Sequence, residues 1–166
     1  MFIEMKVSGL TIDPFTNSPI LLLKDLEEKE VLPIWIGLLE AGAIAMELDN
    51  IQFSRPMTHD LLKNILNSLD VKVEKIEVND LRNNTFFATI HLIYKGNELL
   101  IDSRPSDAIA LALRTKSPIY VSEEVLLKSK KVELDKKEEG ESKEDAKKWE
   151  EILEKLNPED FGKYKM

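Results

Sequence analysis

The segment Val7 to Ile12 is strand-like, four apolar residues run together at Ile20-Leu21-Leu22-Leu23, and a third apolar segment covers Val31 to Ile36. Alternation with period two, and short apolar runs bounded by turn residues, are signals of strands. The turn region Asp13 to Pro19 and the charged loop Lys24 to Glu30 separate the three, so this part of the chain predicts a meander. After Gly37 the pattern changes. Leu38 to Leu48 is rich in Ala and Leu and apolar on nearly every side, which predicts a buried helix. Thr58 then opens a helix with Leu61, Leu62, Ile65, Leu66 and Leu69 on one face, the spacing of an amphipathic helix.

From Val71 the strand pattern restarts. Val71 to Val78 alternates, Asn79 to Asn84 reads as a turn, Thr85 to Tyr94 as a long strand, Lys95-Gly96-Asn97 as a tight turn and Glu98 to Asp102 as the return strand before a second apolar helix. Sliding the chain by 65 positions lays Ala43-Ile44-Ala45 on Ala108-Ile109-Ala110, Met46 on Leu111, Leu48 on Leu113 and Ile36 on Ile101. The expected fold is therefore α+β, with internally duplicated strand-rich units, each a meander plus a helix, packed around a common core. Pro118 to Val121 reads as a last strand and Val125 to Leu127 closes a domain of residues 1–127. Residues 128–166 read as a charged linker or solvated helix and a C-terminal amphipathic helix carrying Trp149, Ile152, Leu153 and Leu156.

Composition narrows the function. The 166 residues are 43% apolar, enough for one sizeable core. No stretch approaches the roughly 20 apolar residues of a membrane span, and Met1 to Leu10 lacks the basic and apolar regions of a signal peptide, so a cytoplasmic location without membrane contact is expected. The absence of cysteine excludes disulfides, thiolate zinc sites and cysteine nucleophiles, and two histidines exclude an all-histidine zinc site. The Lys- and Glu-rich charge content with a single Gln resembles thermophile composition. Net charge is −8, and residues 1–127 alone hold 19 acidic against 12 basic residues. Proteins that grip nucleic acid through its backbone normally carry a basic excess, so any such contact here is local, transient or metal-assisted.

Ser-Arg-Pro occurs twice, at Ser54-Arg55-Pro56 and Ser103-Arg104-Pro105, each time ahead of a predicted helix. Free amides, the positive pole of the helix dipole and a guanidinium together favour phosphate or carboxylate, although the same features also serve as plain caps. Asp102 and Asp107 bracket the second corner and could share a divalent ion if the turn folds back; alternatively Asp107 caps and Asp102 pairs with an arginine. His59 sits in a helical first turn among polar groups, placed for proton transfer at a phosphoester oxygen, whereas His91 lies inside an alternating strand and reads as a half-buried sheet residue. The sequence holds no phosphate-binding glycine loop, nucleophile elbow or paired metalloprotease histidines.

Three spaced motifs, Pro33-Ile34-Trp35-Ile36-Gly37 with Glu40-Ala41, then Arg55-Pro56-Met57-Thr58-His59-Asp60-Leu61, then Asp102-Ser103-Arg104-Pro105-Ser106-Asp107-Ala108-Ile109-Ala110-Leu111-Ala112, resemble the bifunctional nuclease domain family. The likeness spans about residues 1–127, and Pro158-Glu159-Asp160-Phe161-Gly162 resembles short extensions of bacterial members. The resemblance implies an α+β domain, often a homo-oligomer, with nuclease activity on RNA and DNA attributed to some members. Carried over motif by motif, the candidate site is Glu40, Arg55, His59, Asp60, Asp102, Arg104, Ser106 and Asp107. On this reading Asp102 and Asp107, with Glu40 or Asp60, hold Mg²⁺ or Mn²⁺, while Arg55, Arg104 and Ser106 hold the phosphate and His59 moves a proton. Two rivals stand beside it. One is a non-catalytic module binding an anionic small molecule or a protein at the Arg-Pro corners. The other is a structural role in which each arginine pairs with an aspartate of its own or the facing repeat.

Overall fold

The structure, a computed structural model, describes residues 1–139. Strands β1 (Phe2–Ile12), β2 (Pro19–Asp25) and β3 (Val31–Trp35) form the first antiparallel meander, followed by helices α1 (Leu38–Leu48) and α2 (Thr58–Ser68). Strands β4 (Lys72–Arg82), β5 (Thr85–Tyr94) and β6 (Asn97–Ser103) form the second meander, followed by α3 (Pro105–Thr115), β7 (Ile119–Ser122) and α4 (Glu123–Glu139). All strands join one sheet in the order β3-β2-β1-β7-β4-β5-β6. β7 runs antiparallel to β1 and parallel to β4, so the first strands of the two meanders run in opposite directions on either side of it. Two units of the same order, each a meander and its helix, thus flank β7, an arrangement consistent with the sequence match between α1 and α3.

Strand alternation decides which face meets the helices. The row Met5, Ile119, Ile76, Ile90 and Ile101 lies on one face, and its first four members are buried. α3 packs on β4 and β5 there, α1 packs on β2, and the two helices pack on each other, with Ala43, Ile44, Ala108, Ile109 and Ala112 all in the core. Small residues let the helix backbones approach closely, which is why both helices read as apolar all round. α2 is different. It packs chiefly against α3, and none of its residues is fully buried.

Turn chemistry accounts for the hairpins. Asn83 and Asn84 (φ 49° and 59°) join β4 to β5, and Lys95 and Gly96 (φ 49° and 77°) join β5 to β6, two-residue loops with both φ positive. The turn expected over Asn79 to Asn84 is shorter than the sequence implies, because β4 continues to Arg82. A bulge between Val78 and Asp80 shifts the alternation by one residue while pairing resumes at Asp80 and Phe87. The boundary expected after Leu127 falls inside α4, whose early turns are held by buried Val125, Leu126 and Ser129. The amphipathic segment with Trp149 and Leu156 lies outside the described residues.

Candidate functional site

The first turns of α1, α2 and α3 meet at one place, and each contributes a functional side chain there. Glu40 stands in the first turn of α1, His59 is the second residue of α2, and Asp107 the third of α3. Three positive helix poles converge on the spot, which stabilises the carboxylates placed there.

Arg104 links the acids. It is the residue before the first turn of α3, with Pro105 buried as that helix's first residue. Its Nε and Nη2 both lie 2.8 Å from Oδ2 of Asp107, and its Nη1 donates to Oε1 of Glu40 at 2.7 Å. Those bonds, to Asp107 first and then Glu40, raise the guanidinium pKa, so Arg104 is a permanent cation. Its side chain is 66% exposed and faces solvent while held in place. Glu40 folds back over Gly37, where a Cβ would collide with the Glu40 carboxylate. The other oxygen of Asp107, Oδ1, lies 3.0 Å from Nε2 of His59, a ring only 13% exposed. A carboxylate accepts, so the neutral imidazole carries its proton on Nε2 and keeps Nδ1 as the basic nitrogen. The result is a relay Glu40–Arg104–Asp107–His59 that spans both halves of the chain.

Asp60 belongs to a neighbouring, more structural cluster. It accepts from the backbone N–H of Met57 at 3.0 Å, closing the start of α2, and from Nε of Arg114 at 2.7 Å. Burial pushes its carboxyl up, but the Arg114 hydrogen bond, the Met57 amide and the nearby charge of Arg114 outweigh this and leave the pKa lowered. Arg114 itself is 4% exposed and also donates to the carbonyls of Ala110 (2.9 Å) and Ala43 (3.0 Å). One side chain therefore ties α3 to α1 and α2.

The remaining expected residues are not drawn in. Arg55 is exposed on the loop ahead of α2 and forms no ion pair among the described residues. Ser106 is buried, so of the phosphate candidates only the two arginines face solvent. Asp102 is exposed on the edge strand β6, in the row of Thr89, Glu77 and Tyr120. That row lies on the face opposite the helices, so Asp102 points away from Asp107. With both oxygens of Asp107 occupied, and no group of three metal-ligating side chains converging among the described residues, this donor set does not fit a divalent ion. The plain capping role weighed for Asp107 does not describe it either, since its carboxylate bonds to Arg104 and His59.

Sequence reasoning passed over Arg114. Its signal was available: a single arginine ending the apolar run Ala108 to Leu113 must either leave the core or find partners within it. His91 conforms to its expected role as a sheet residue; it is buried, its Nδ1 lies 2.7 Å from Glu98, and its Nε2 lies 3.0 Å from Glu77 without the alignment of a hydrogen bond.

The sequence of the chain is similar to those of known proteins. A family model described as "Bifunctional nuclease domain" matches residues 21–134, which include the whole relay. An uncharacterized protein of Mycobacterium tuberculosis is 36% identical over 162 residues, 95% of this chain and 97% of its own. Bifunctional nuclease 1 of Arabidopsis thaliana is 30% identical over 119 residues, 69% of this chain and 36% of its own. Bifunctional nuclease 2 of the same plant is 28% identical over 95 residues, 55% of this chain and 29% of its own. The chain thus spans about a third of those plant proteins. No helix among the described residues is long and apolar enough to cross a membrane.

Proposed function

The chain belongs to the bifunctional nuclease domain family, and from that premise and the geometry of the relay we propose that it hydrolyses phosphodiester bonds in RNA and DNA. The observation that carries this reading is the His59–Asp107 contact at 3.0 Å, with Arg104 holding the far side of the carboxylate. His59 takes a proton at Nδ1 from the attacking water as its oxygen bonds to phosphorus. Asp107 stabilises the imidazolium so formed, which then returns a proton to the departing sugar oxygen. Arg104 faces the charge that develops on the non-bridging oxygens. Water as nucleophile needs no 2′-hydroxyl, so one site serves both polymers.

The side chains around Asp107 do not converge on a metal among the described residues, and the test includes Mg²⁺ and Mn²⁺ for that reason. Purified protein is assayed on single-stranded RNA and duplex DNA with EDTA, Mg²⁺ or Mn²⁺, beside His59→Gln and Asp107→Asn. Each variant is expected to lose about 100-fold or more in rate with little change in melting temperature. Absence of cleavage by the parent protein under every condition sinks the reading. It would favour the binding-module rival, which has its own support in Arg104, a cation tied to both halves and open to an anion.

Copies of the chain are also proposed to associate. The stripe Leu61, Leu62 and Ile65 on α2, with Leu69 just after it, stays exposed although its spacing is that of a buried face.

A further inference from the structure

A cleft of about 530 Å³ opens between the later turns of α2, the end of α3 and the start of β4. Its lining includes Lys63, Lys72, Lys116 and Arg114 against a single acid, Glu74. In a chain of net charge −8 such an excess of cations is a local reversal of sign. The lysines are also uncommitted. Lys6, Lys75, Lys128 and Lys130 are each tied to a carboxylate, whereas Lys63, Lys72 and Lys116 form no ion pair among the described residues. Of the other polar side chains in the lining, Asn67 and Glu74 form no hydrogen bond or ion pair among the described residues, and the rest are occupied. Arg114 is held by Asp60 and two carbonyls, Ser117 donates to the carbonyl of Val73, and Thr115 donates to that of Leu111. The carbonyl end of α3 is closed by the Ser117 N–H on Ala112, which blunts its negative pole. What the cleft presents to a ligand is three free ammonium groups, with the Asn67 amide and one opposing carboxylate, Glu74.

The cleft and the relay share one helix, α2. His59 and Lys63 are four residues apart and so lie on one face of α2, and Leu66 and Asn67 carry that face into the cleft. From His59 to Asn67 the helix rises about 12 Å. We propose that this lysine-lined cleft holds the sugar-phosphate backbone of a single strand a few nucleotides away from the bond at His59. The proposal rests on the nuclease reading for its direction, and on the cleft itself for its ligand. Lysine recognises phosphate as a point charge, and the lining holds no aromatic residue for a base to stack on, so binding is to backbone rather than to sequence.

The test measures binding separately from cleavage. The full chain and a Lys63→Ala/Lys72→Ala/Lys116→Ala variant are titrated with a fluorescent 12-nucleotide 2′-O-methyl phosphorothioate strand, which keeps the charge and resists hydrolysis, over a range of salt. A methylphosphonate strand without backbone charge and a nucleoside monophosphate serve as controls. Expected for the variant is binding roughly 100-fold weaker at 0.1 M salt, with a log–log salt slope shallower by about 2. The melting temperature should not change. The uncharged strand should bind neither protein. Equal affinity and slope for parent and variant overturn the cleft, as does a monophosphate that binds as tightly as the strand, which would make it a small-anion pocket. Cleavage of a dinucleotide by both proteins is followed in parallel. If the lysines govern strand binding while neither protein cleaves anything, the cleft stands and the nuclease reading falls.

Discussion

At the residue scale, the lack of a side chain at Gly37 matters because Glu40 occupies the space a Cβ would take. Gly37 has ordinary backbone angles (φ −74°, ψ 160°), so alanine there strains only the contact with a flexible carboxylate. Gly37→Ala is therefore expected to leave the melting temperature within a few degrees while pushing Glu40 off Arg104, and its activity should match that of Glu40→Gln. A large stability loss with unchanged activity would contradict this placement of Glu40. Asp60 behaves in the opposite way. Asp60→Ala leaves a guanidinium that is 4% exposed without its anion, and should cost about 3 kcal/mol in chemical denaturation. The carboxyls of Asp60 and Glu77 are both held below their ordinary values despite the opposing effect of burial, Asp60 chiefly by Arg114 and Glu77 by Lys75 and His91. A carboxyl with a lowered folded pKa stabilises the fold above its unfolded pKa of about 4, and that contribution disappears as pH falls through the folded value. The stability gap between the parent and Asp60→Asn should accordingly be full at pH 7 and close below about pH 4 in thermal melts; a gap that widens in acid would contradict the assignment.

At the element scale, the strands, both buried helices and the start of α2 are legible in the sequence because each follows a local rule. Thr85 to Tyr94 alternates, Lys95-Gly96 suits a tight turn, and Leu38 to Leu48 has no polar face. Several elements escaped that logic, among them β1, which begins at Phe2 and not at Val7. The end of β4 was hidden by a bulge, which preserves pairing but breaks alternation. The amphipathic face of α2 announced burial, yet only Leu66 of that stripe packs against the core. Periodicity reports that an apolar face exists and is silent on whether it faces the chain's own core or another copy. If α2 forms an interface, the 19.0 kDa chain should sediment as an oligomer and Ile65→Asp should shift it to monomer without loss of helical signal. A monomeric parent protein would leave the stripe without that role.

At the scale of the whole molecule, the candidate site is where the two halves meet. Glu40 comes from the unit of β1 to β3, while Arg104 and Asp107 come from that of β4 to β6, and His59 stands on the helix between them. The sequence by itself determined the motifs, the residue types they carry, the α+β class and the family, since these depend on composition and on neighbours a few positions apart. It also bounded the chemistry, for a chain without cysteine and with net charge −8 cannot use thiolates or a broadly basic face. Only the tertiary structure decided which motif residues share a site. Asp102 and Asp107 are five residues apart, yet strand alternation turns one away from the helices; His59 and Asp107 are 48 apart and touch. Arg114, whose place at the end of an apolar run marks it without naming its partners, became a tie between three helices because the fold buried it beside Asp60 and two carbonyls. Proximity in sequence constrains only a few dihedral angles, whereas contact across the sheet and helices is set by the packing of the whole core.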